Sequence, residues 1–420
     1  MPSCSMAEPS ALTRDNDESP RIMLVAGEAS GDLHGARLVA AMRELAPGLS
    51  LCGIGGPALA AEGQEQLYDA SRLAVVGIVE VLGHLSHIRE AMRRLASRMR
   101  DQRPDLLILI DFPDFNLIMA KKAKKMGIPV FYYISPQVWA WRAGRVRTIR
   151  RLVDRMAVIL PFEQEFYRQR GMAVEFVGHP LLDTVAAAQG RDEFLAGLGV
   201  DPASPVIGIL PGSRQREVAS MLPVFLEAAR RIRSRLAKAV FLLPLAPTLS
   251  EEDLLTNGLA GCGLDVRVVA AEGRYDLMAA CDTVMAASGT VSLELAILGT
   301  PMVIAYRVSP LTWFLGRRLV SVRFASLVNL VAGREVVPEL LQHDATPEKI
   351  AEAICALATA TPGRQAMLAG LAEVCQRLGG PGASRRAARL ALELIPSASD
   401  RVASCRRAEL SPSPLGRGLG

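Results

Sequence analysis

Short unbroken apolar runs alternate along this chain with longer stretches of helical spacing, and most runs end in turns of Gly, Pro, Ser or Asp. This is the rhythm of parallel βα units. The clearest run, Leu106-Leu107-Ile108-Leu109-Ile110, has no polar alternation, which predicts a central strand covered on both faces. It stops at Asp111, and Pro113 cannot donate a further ladder bond. Asp111 is therefore expected at the carboxyl end of the strand, where open α/β sheets bind ligands. A helix is expected over 116–125. Asp111 is far upstream to be its cap, whereas for Asp114 capping and ligand contact both stay open.

The first half supplies further strands over 22–26, 51–56, 129–134, 156–160 and 174–177, and a helix over 34–45. The second half repeats the pattern with strands over 205–210, 239–243, 266–269 and from Thr283, and a helix over 217–236. A boundary is read at Gly178-His179-Pro180. The organisation expected is an extension over 1–20, one α/β domain over 21–180, a second over 181–396, and a tail over 397–420 rich in Ser, Pro, Gly and Arg.

Three turns carry candidate chemistry. Gly27-Glu28-Ala29-Ser30-Gly31-Asp32 joins the first strand to a helix, a geometry that aims backbone N–H groups at an anion or sugar. Its glycines are not in GxGxxG order, so no dinucleotide is expected, and Glu28, Ser30 and Asp32 exceed the polar needs of a tight turn. Pro211-Gly212-Ser213-Arg214 opens the second domain with the same strand, anion-shaped turn and helix. Ser288-Gly289-Thr290 is delivered by a strand to a helix start, whose partial positive charge suits a diphosphate; Glu294, one turn further in, can accept from ribose hydroxyls. The alternative there is a cap before a packed helix.

Residues 73–85 are apolar nearly all round and flanked by Arg72, Arg89, Arg93, Arg94, Arg98 and Arg100. Such a segment is either a core helix or one lying in a lipid interface. Trp139 and Trp141, at another strand end, belong to a core or wall a sugar or acyl pocket. The arginines from Arg142 to Arg155 read mainly as a solvated face.

Composition sets bounds. The 420 residues, 50% hydrophobic and 22% charged, suffice for two or three domains, and a net charge of +5 is too small to argue for nucleic acid. Seven cysteines, scattered without a CxxC pair and odd in number, fit a reducing cytosol. No apolar run reaches the roughly 18 residues of a spanning helix, and the start is polar and acidic, so any membrane contact is expected to be peripheral. Asp15-Asn16-Asp17 has the form of a metal-holding DxD but lies in the extension and is taken as chance. No metal or cofactor is expected.

Six ordered motifs together resemble lipid-A-disaccharide synthases: the turn 27–32, Val76-Gly77-Ile78-Val79-Glu80-Val81, Asp111-Phe112-Pro113-Asp114-Phe115-Asn116, Ser135-Pro136-Gln137-Val138-Trp139-Ala140-Trp141, Leu210-Pro211-Gly212-Ser213-Arg214 and Ala287-Ser288-Gly289-Thr290. The resemblance runs from about Arg21 to Pro396. It implies the glycosyltransferase B fold, two Rossmann-like parallel-sheet domains facing a cleft. It implies the joining of UDP-2,3-diacylglucosamine to 2,3-diacylglucosamine 1-phosphate through a β-1,6 link, with release of UDP. The acceptor would bind the first domain and UDP the second. The enzyme would be cytoplasmic, peripherally bound to the inner membrane of a Gram-negative cell. A homodimer by C-terminal exchange would bring Ala383-Ser384-Arg385-Arg386 to a neighbour's site.

On this reading the catalytic set is Asp111, Glu28 and Ser30, with Asp111 the base of an inverting transfer. Substrate contacts are Arg214, Ser213, Gly212, Ser288, Gly289, Thr290, Glu294, Asp114 and Asn116, joined on the resemblance alone by Asn329. Lipid contacts are Val79, Val81, Leu82 and Leu85. A permanently charged Arg214 and a helix start can hold the departing diphosphate without a metal. Two rival readings are another UDP-sugar enzyme of this architecture, such as a peptidoglycan-type N-acetylglucosaminyltransferase or a UDP-sugar epimerase, and a membrane-surface module with a degenerate nucleotide site.

Overall fold

The computed structural model describes residues 19–70, 73, 81–308 and 322–396, with main chain alone for 81–85. Two sheets form the framework. The first holds β1 (Arg21–Ala26), β2 (Ser50–Gly55), β3 (Glu65–Asp69), β4 (Leu106–Ile110), β5 (Val130–Tyr133), β6 (Arg155–Val158) and β7 (Glu175–Phe176), in the order 3-2-1-4-5-6-7. The second holds β8 (Val206–Leu210), β9 (Val240–Pro244), β10 (Val266–Val269), β11 (Thr283–Ala286), β12 (Met302–Tyr306) and β13 (Glu339–Leu341), in the order 10-9-8-11-12-13.

The apolar runs decide which strands are central. Every residue of β4, β5, β8 and β11 is buried, as parallel strands with helices on both faces require. In the first sheet the order jumps from β1 to β4, and Ala26 pairs with Ile110, so the loops at Gly27 and Asp111 leave the sheet side by side. In the second, Leu210 pairs with Ala286, which brings the loops after them together in the same way. Each is a topological switch point, the place where open α/β sheets open a crevice.

Contacts divide the described chain into two compact units. One comprises the described residues through Pro136, Val146–Ala157 and those from Ser384 onward; the other comprises Gln137–Arg145 and Val158–Ala383. Residues 137–145 and 158–180, expected in the first domain, thus cluster with the second unit.

Several boundaries depart from the sequence expectation. The helix expected over 116–125 is Pro113–Lys125, with proline in its first turn, where no N–H is needed. The helix expected from His34 begins at Ala29, directly after Glu28. Edge strands β3 and β13 were not expected, being short and largely solvent-facing, without the apolar run that marks the others. The apolar segment falls mostly outside the described residues: Val79 does so entirely, as do the side chains of Val81, Leu82 and Leu85. The helix Val81–Asp101 carries the arginines that follow it, and two of these are paired, Arg94 with Glu90 and Arg98 with Glu65. Among the described residues no helix is long and apolar enough to cross a membrane.

Asp32 is spent on structure. Its buried carboxylate accepts from Gly56 N at 2.7 Å, Ala58 N at 2.9 Å and Leu59 N at 3.1 Å, tying the first helix to the start of the helix Pro57–Ala61. Three donors converging on one charge act as a cap supplied from a distant part of the chain. Asp32→Ala leaves them without their acceptor and should lower the unfolding free energy by about 2–4 kcal/mol in urea titration. A loss under about 0.5 kcal/mol, the range of an ordinary surface change, would refute this role.

Candidate active site

In the first unit the chain leaves β4 through two consecutive left-handed residues, Asp111 (φ 43°) and Phe112 (φ 45°). Non-glycine residues occupy this region at a cost of about 1–3 kcal/mol each. The turn is held from several sides. The Asp111 carbonyl accepts from Tyr132 Oη at 2.5 Å and from Asn116 Nδ2 at 2.7 Å, and the same amide donates to Ile110 O at 3.1 Å. The Phe112 ring lies where a Cβ on Gly27 would stand, 2.5 Å from two ring carbons, so any side chain there would collide with it.

This turn leaves the Asp111 carboxyl half-buried beside Glu28. Burial first, and the Glu28 charge second, push it from its ordinary 3.8 up to about 6, against a smaller lowering by a hydrogen bond from the Phe112 backbone. Glu28 occupies the N-cap position of the helix Ala29–Leu45 without capping it, and both Glu28 and Ser30 are exposed. A carboxylate with raised basicity beside a second carboxylate, at the β1/β4 switch point, is of a kind that can take a proton from a sugar hydroxyl.

The other expectations in this unit divide. Asp111 does not cap the helix that follows, since Phe112 holds the N-cap position. Asp114 is exposed in the first helical turn, where the free N–H groups favour a carboxylate. Asn116, expected against substrate, is fully buried, and its Nδ2 donates to main-chain carbonyls.

In the second unit a cavity of about 380 Å³ lies at the β8/β11 switch point, lined by Gly212, Ser213, Arg214, Ser288, Gly289, Thr290 and Glu294 among others. The turn after β8, expected to suit an anion, holds a carboxylate of the chain itself. Glu217 Oε2 already accepts from Ser213 N at 3.1 Å and Arg214 N at 3.4 Å. Gly212 (φ 116°) permits the close approach of Glu217, whose Oε2 stands 2.5 Å from where a Cβ would be. What this turn offers a ligand is the Arg214 guanidinium, which is exposed and only loosely tied to Glu217 at 3.4 Å.

Across the cavity, Ser288 Oγ donates to Ala325 O at 3.0 Å, and Gly289 and Thr290 are exposed at the start of the helix Val291–Leu298. Glu294 is deeply set: burial raises its carboxyl, while Arg274 and Tyr275 counter it. Tyr275 Oη donates to Glu294 Oε1 at 3.3 Å, and Arg274 Nη2 donates to Tyr275 Oη at 2.9 Å. Arg274 lines the cavity and went unrecognised in the sequence, because no local motif ties it to Glu294 twenty positions on.

Asn329, expected on the resemblance alone to contact substrate, serves the fold in this structure. It is fully buried, donates to Val337 O at 2.9 Å and Glu339 Oε1 at 2.8 Å, and accepts from Val336 N and Val337 N at 2.7 and 3.0 Å. Its amide is fully spent on holding that loop, and it does not line the cavity. The tryptophans also separate: Trp139 is core, edge-on to Phe162 and donating to Glu163 Oε1 at 3.1 Å, whereas Trp141 is 47% exposed under the Arg142 guanidinium.

A family model described as lipid-A-disaccharide synthetase matches residues 22–380. The chain belongs to the lipid-A-disaccharide synthase family. It is 51% identical over 377 residues to the lipid-A-disaccharide synthase of Geobacter sulfurreducens, covering 90% of this chain and 98% of that one. With the Myxococcus xanthus synthase it shares 47% over 378 residues, again 90% and 98% of the two chains. It is thus a glycosyltransferase that forms the lipid A disaccharide, acting on a UDP-sugar and an acceptor. Among solved structures, the glycotransferase of kitacinnamycin superposes with a TM-score of 0.60 at 17% identity, over 90% of this chain and 100% of that one. The UDP-GlcNAc 2-epimerase from Neisseria meningitidis bound to UDP-GlcNAc does so at 0.56 and 13%, over 89% and 98%. The fold is glycosyltransferase B.

The Asp111 environment has a consequence for stability. The native carboxyl holds its proton more tightly than the unfolded one, so the native state binds more protons between about pH 4 and 6. Its contribution to stability is full below the unfolded value and is lost as pH rises through about 6. Asp111→Asn, neutral throughout, should flatten this slope and make the protein more stable than wild type at pH 7.5 by about 1–2 kcal/mol, discounted for partial exposure. Urea titrations of both proteins from pH 4.5 to 7.5 check this; parallel curves would show that Asp111 is not strained electrostatically.

Proposed function

We propose that this enzyme joins UDP-2,3-diacylglucosamine to 2,3-diacylglucosamine 1-phosphate by an inverting transfer, with the acceptor served by the first unit and the nucleotide by the second. The desolvated Asp111 carboxylate beside Glu28 carries the reading. Asp111 takes the proton of the acceptor 6-hydroxyl as its oxygen attacks the donor's anomeric carbon. The carbon–oxygen bond to UDP breaks on the opposite face, which gives the β-1,6 link. Arg214 and the Ser288-Gly289-Thr290 helix start hold the departing diphosphate, and Glu294 accepts from the ribose hydroxyls. A placed base is worth roughly 10²–10⁴-fold and a preorganised donor roughly 3–4 kcal/mol, so both halves contribute on a similar scale.

Purified enzyme should turn over the acylated donor and acceptor and lose activity when both substrates are deacylated. Asp111→Asn should cut kcat by at least ~10²-fold with UDP affinity unchanged, whereas Asp114→Asn should cost mainly stability, on the order of 1 kcal/mol. Calorimetry should find UDP binding weakened in Arg214→Ala and Glu294→Ala. Unchanged UDP affinity in both would remove the nucleotide from the second unit, and a fully active Asp111→Asn would remove the base.

Peripheral binding at the inner membrane belongs to the same reading. Extracting acyl chains into water would cost roughly 0.8 kcal/mol per CH₂, so an apolar surface that meets the bilayer is needed. The apolar 73–85 segment and the arginines of the helix Val81–Asp101 supply the sequence for it. The protein should sediment with anionic vesicles, and Val79, Val81, Leu82 and Leu85 changed together to Ser should give a folded protein that sediments less. A quadruple variant that unfolds would mark the segment as core. Homodimerisation by exchange of the segment from Ala383 is likewise proposed, and a monomeric mass by light scattering would exclude it.

A further inference from the structure

We infer that Tyr132 and Asn116 are positioning residues of the transfer: by donating to the main-chain carbonyl of Asp111 they hold two consecutive left-handed residues and so fix the direction of the Asp111 carboxylate. The inference rests on the reading of Asp111 as the base. Backbone strain of the kind seen at Asp111 and Phe112 persists only where the surroundings over-determine it. Here two donors from different elements converge on one oxygen, Tyr132 from the neighbouring strand β5 and Asn116 from the helix that follows the turn. Both residues are fully buried, so they act through Asp111 and not by touching substrate.

The chemistry of Asn116 supports the assignment. Its Oδ1 is buried without a hydrogen-bond partner among the described residues, while its Nδ2 serves the carbonyls of Ile110 and Asp111. An orphaned buried acceptor is costly, and an apolar residue of similar volume would avoid it. What the amide supplies is its donors, delivered to the last residue of the strand and the first of the turn. Tyr132 lies opposite Leu109 on β5, in a wall where a phenyl ring would pack as well; its hydroxyl adds the bond to Asp111 O. Without these donors the carbonyl can rotate and the turn can relax out of the left-handed region, which swings the carboxylate away. A misplacement of roughly 1 Å in a reacting group can cost about 10²-fold.

The test is a double-mutant cycle on the full-length enzyme with acylated donor and acceptor. Tyr132→Phe should lower kcat per folded molecule by about 10–100-fold with KM for both substrates and UDP affinity unchanged. Added to Asp111→Asn, the same change should cost less than about twofold, because the group it positions is already gone. Wild-type kcat in folded Tyr132→Phe would overturn the inference, and so would an undiminished loss in the Asp111→Asn background. Asn116→Ser is read by the same criteria if Tyr132→Phe does not fold. A fully active Asp111→Asn is the separate result that overturns the base assignment itself.

Discussion

The exit of the chain from β4 is the constraint on which the first unit's chemistry depends. Two left-handed residues in succession compress the turn, so the helix starts at Pro113, immediately beyond them. Each neighbour is fitted to that geometry. Gly27 yields the space of a side chain to the Phe112 ring, Pro113 supplies a preset φ where no donor is needed, and Asn116 reaches back one turn to the Asp111 carbonyl. The outcome is a carboxylate that burial and Glu28 make more basic than a surface aspartate. That desolvation destabilises the ionised fold at neutral pH, so on the proposed role of Asp111 stability and reactivity draw on one group in opposite senses.

The second unit solves a different electrostatic problem with the same strand, loop and helix order. In the turn after β8 the backbone donors that would bind an external anion are taken by Glu217, a carboxylate of the chain itself. This internal anion fixes the loop before any ligand arrives and leaves Arg214 as its outward cation. On the facing loop, Gly289 and Thr290 stand exposed at the start of the helix Val291–Leu298. Glu294 is held by Tyr275, and Tyr275 in turn by Arg274, a relay that orients one acceptor in the cavity. Preorganisation of this kind lowers the ordering cost of binding.

Much of this was legible in the sequence because the decisive strands are continuous apolar runs. The run 106–110 placed Asp111 at a strand's carboxyl end, whereas the pairing of Ala26 with Ile110 and of Leu210 with Ala286 is set by the sheet order, which the runs do not specify. What stayed hidden depends on tertiary partners. The left-handed turn is hidden from propensity, since Asp visits positive φ only occasionally and Phe gives no local sign of it, and so the start of the helix was misplaced. Asn116 read as a polar residue beside a site and Asn329 was expected on the resemblance alone; only the fold reveals that both are buried and donate to main-chain carbonyls. Arg274 is linked to Glu294 through Tyr275 by the fold, and β3 and β13 lie at sheet edges where half-exposed residues erase the apolar signal.

Fold and activity part company in this architecture. A glycosyltransferase and UDP-GlcNAc 2-epimerases superpose on the chain with TM-scores of 0.55–0.60 at 12–17% identity, so the doubled parallel sheet is compatible with either chemistry. A nucleotide cradle in the second unit would serve both. What separates them is the use of the first unit: a transferase must activate a hydroxyl of a second sugar, and needs a base whose basicity is raised but which remains ionised near neutrality. On the proposed role Asp111 is that base, and burial together with the Glu28 charge pushes its carboxyl from its ordinary value up to about 6. On that proposal, the glycine at position 27 and the donors on the Asp111 carbonyl serve the reaction as well as the fold.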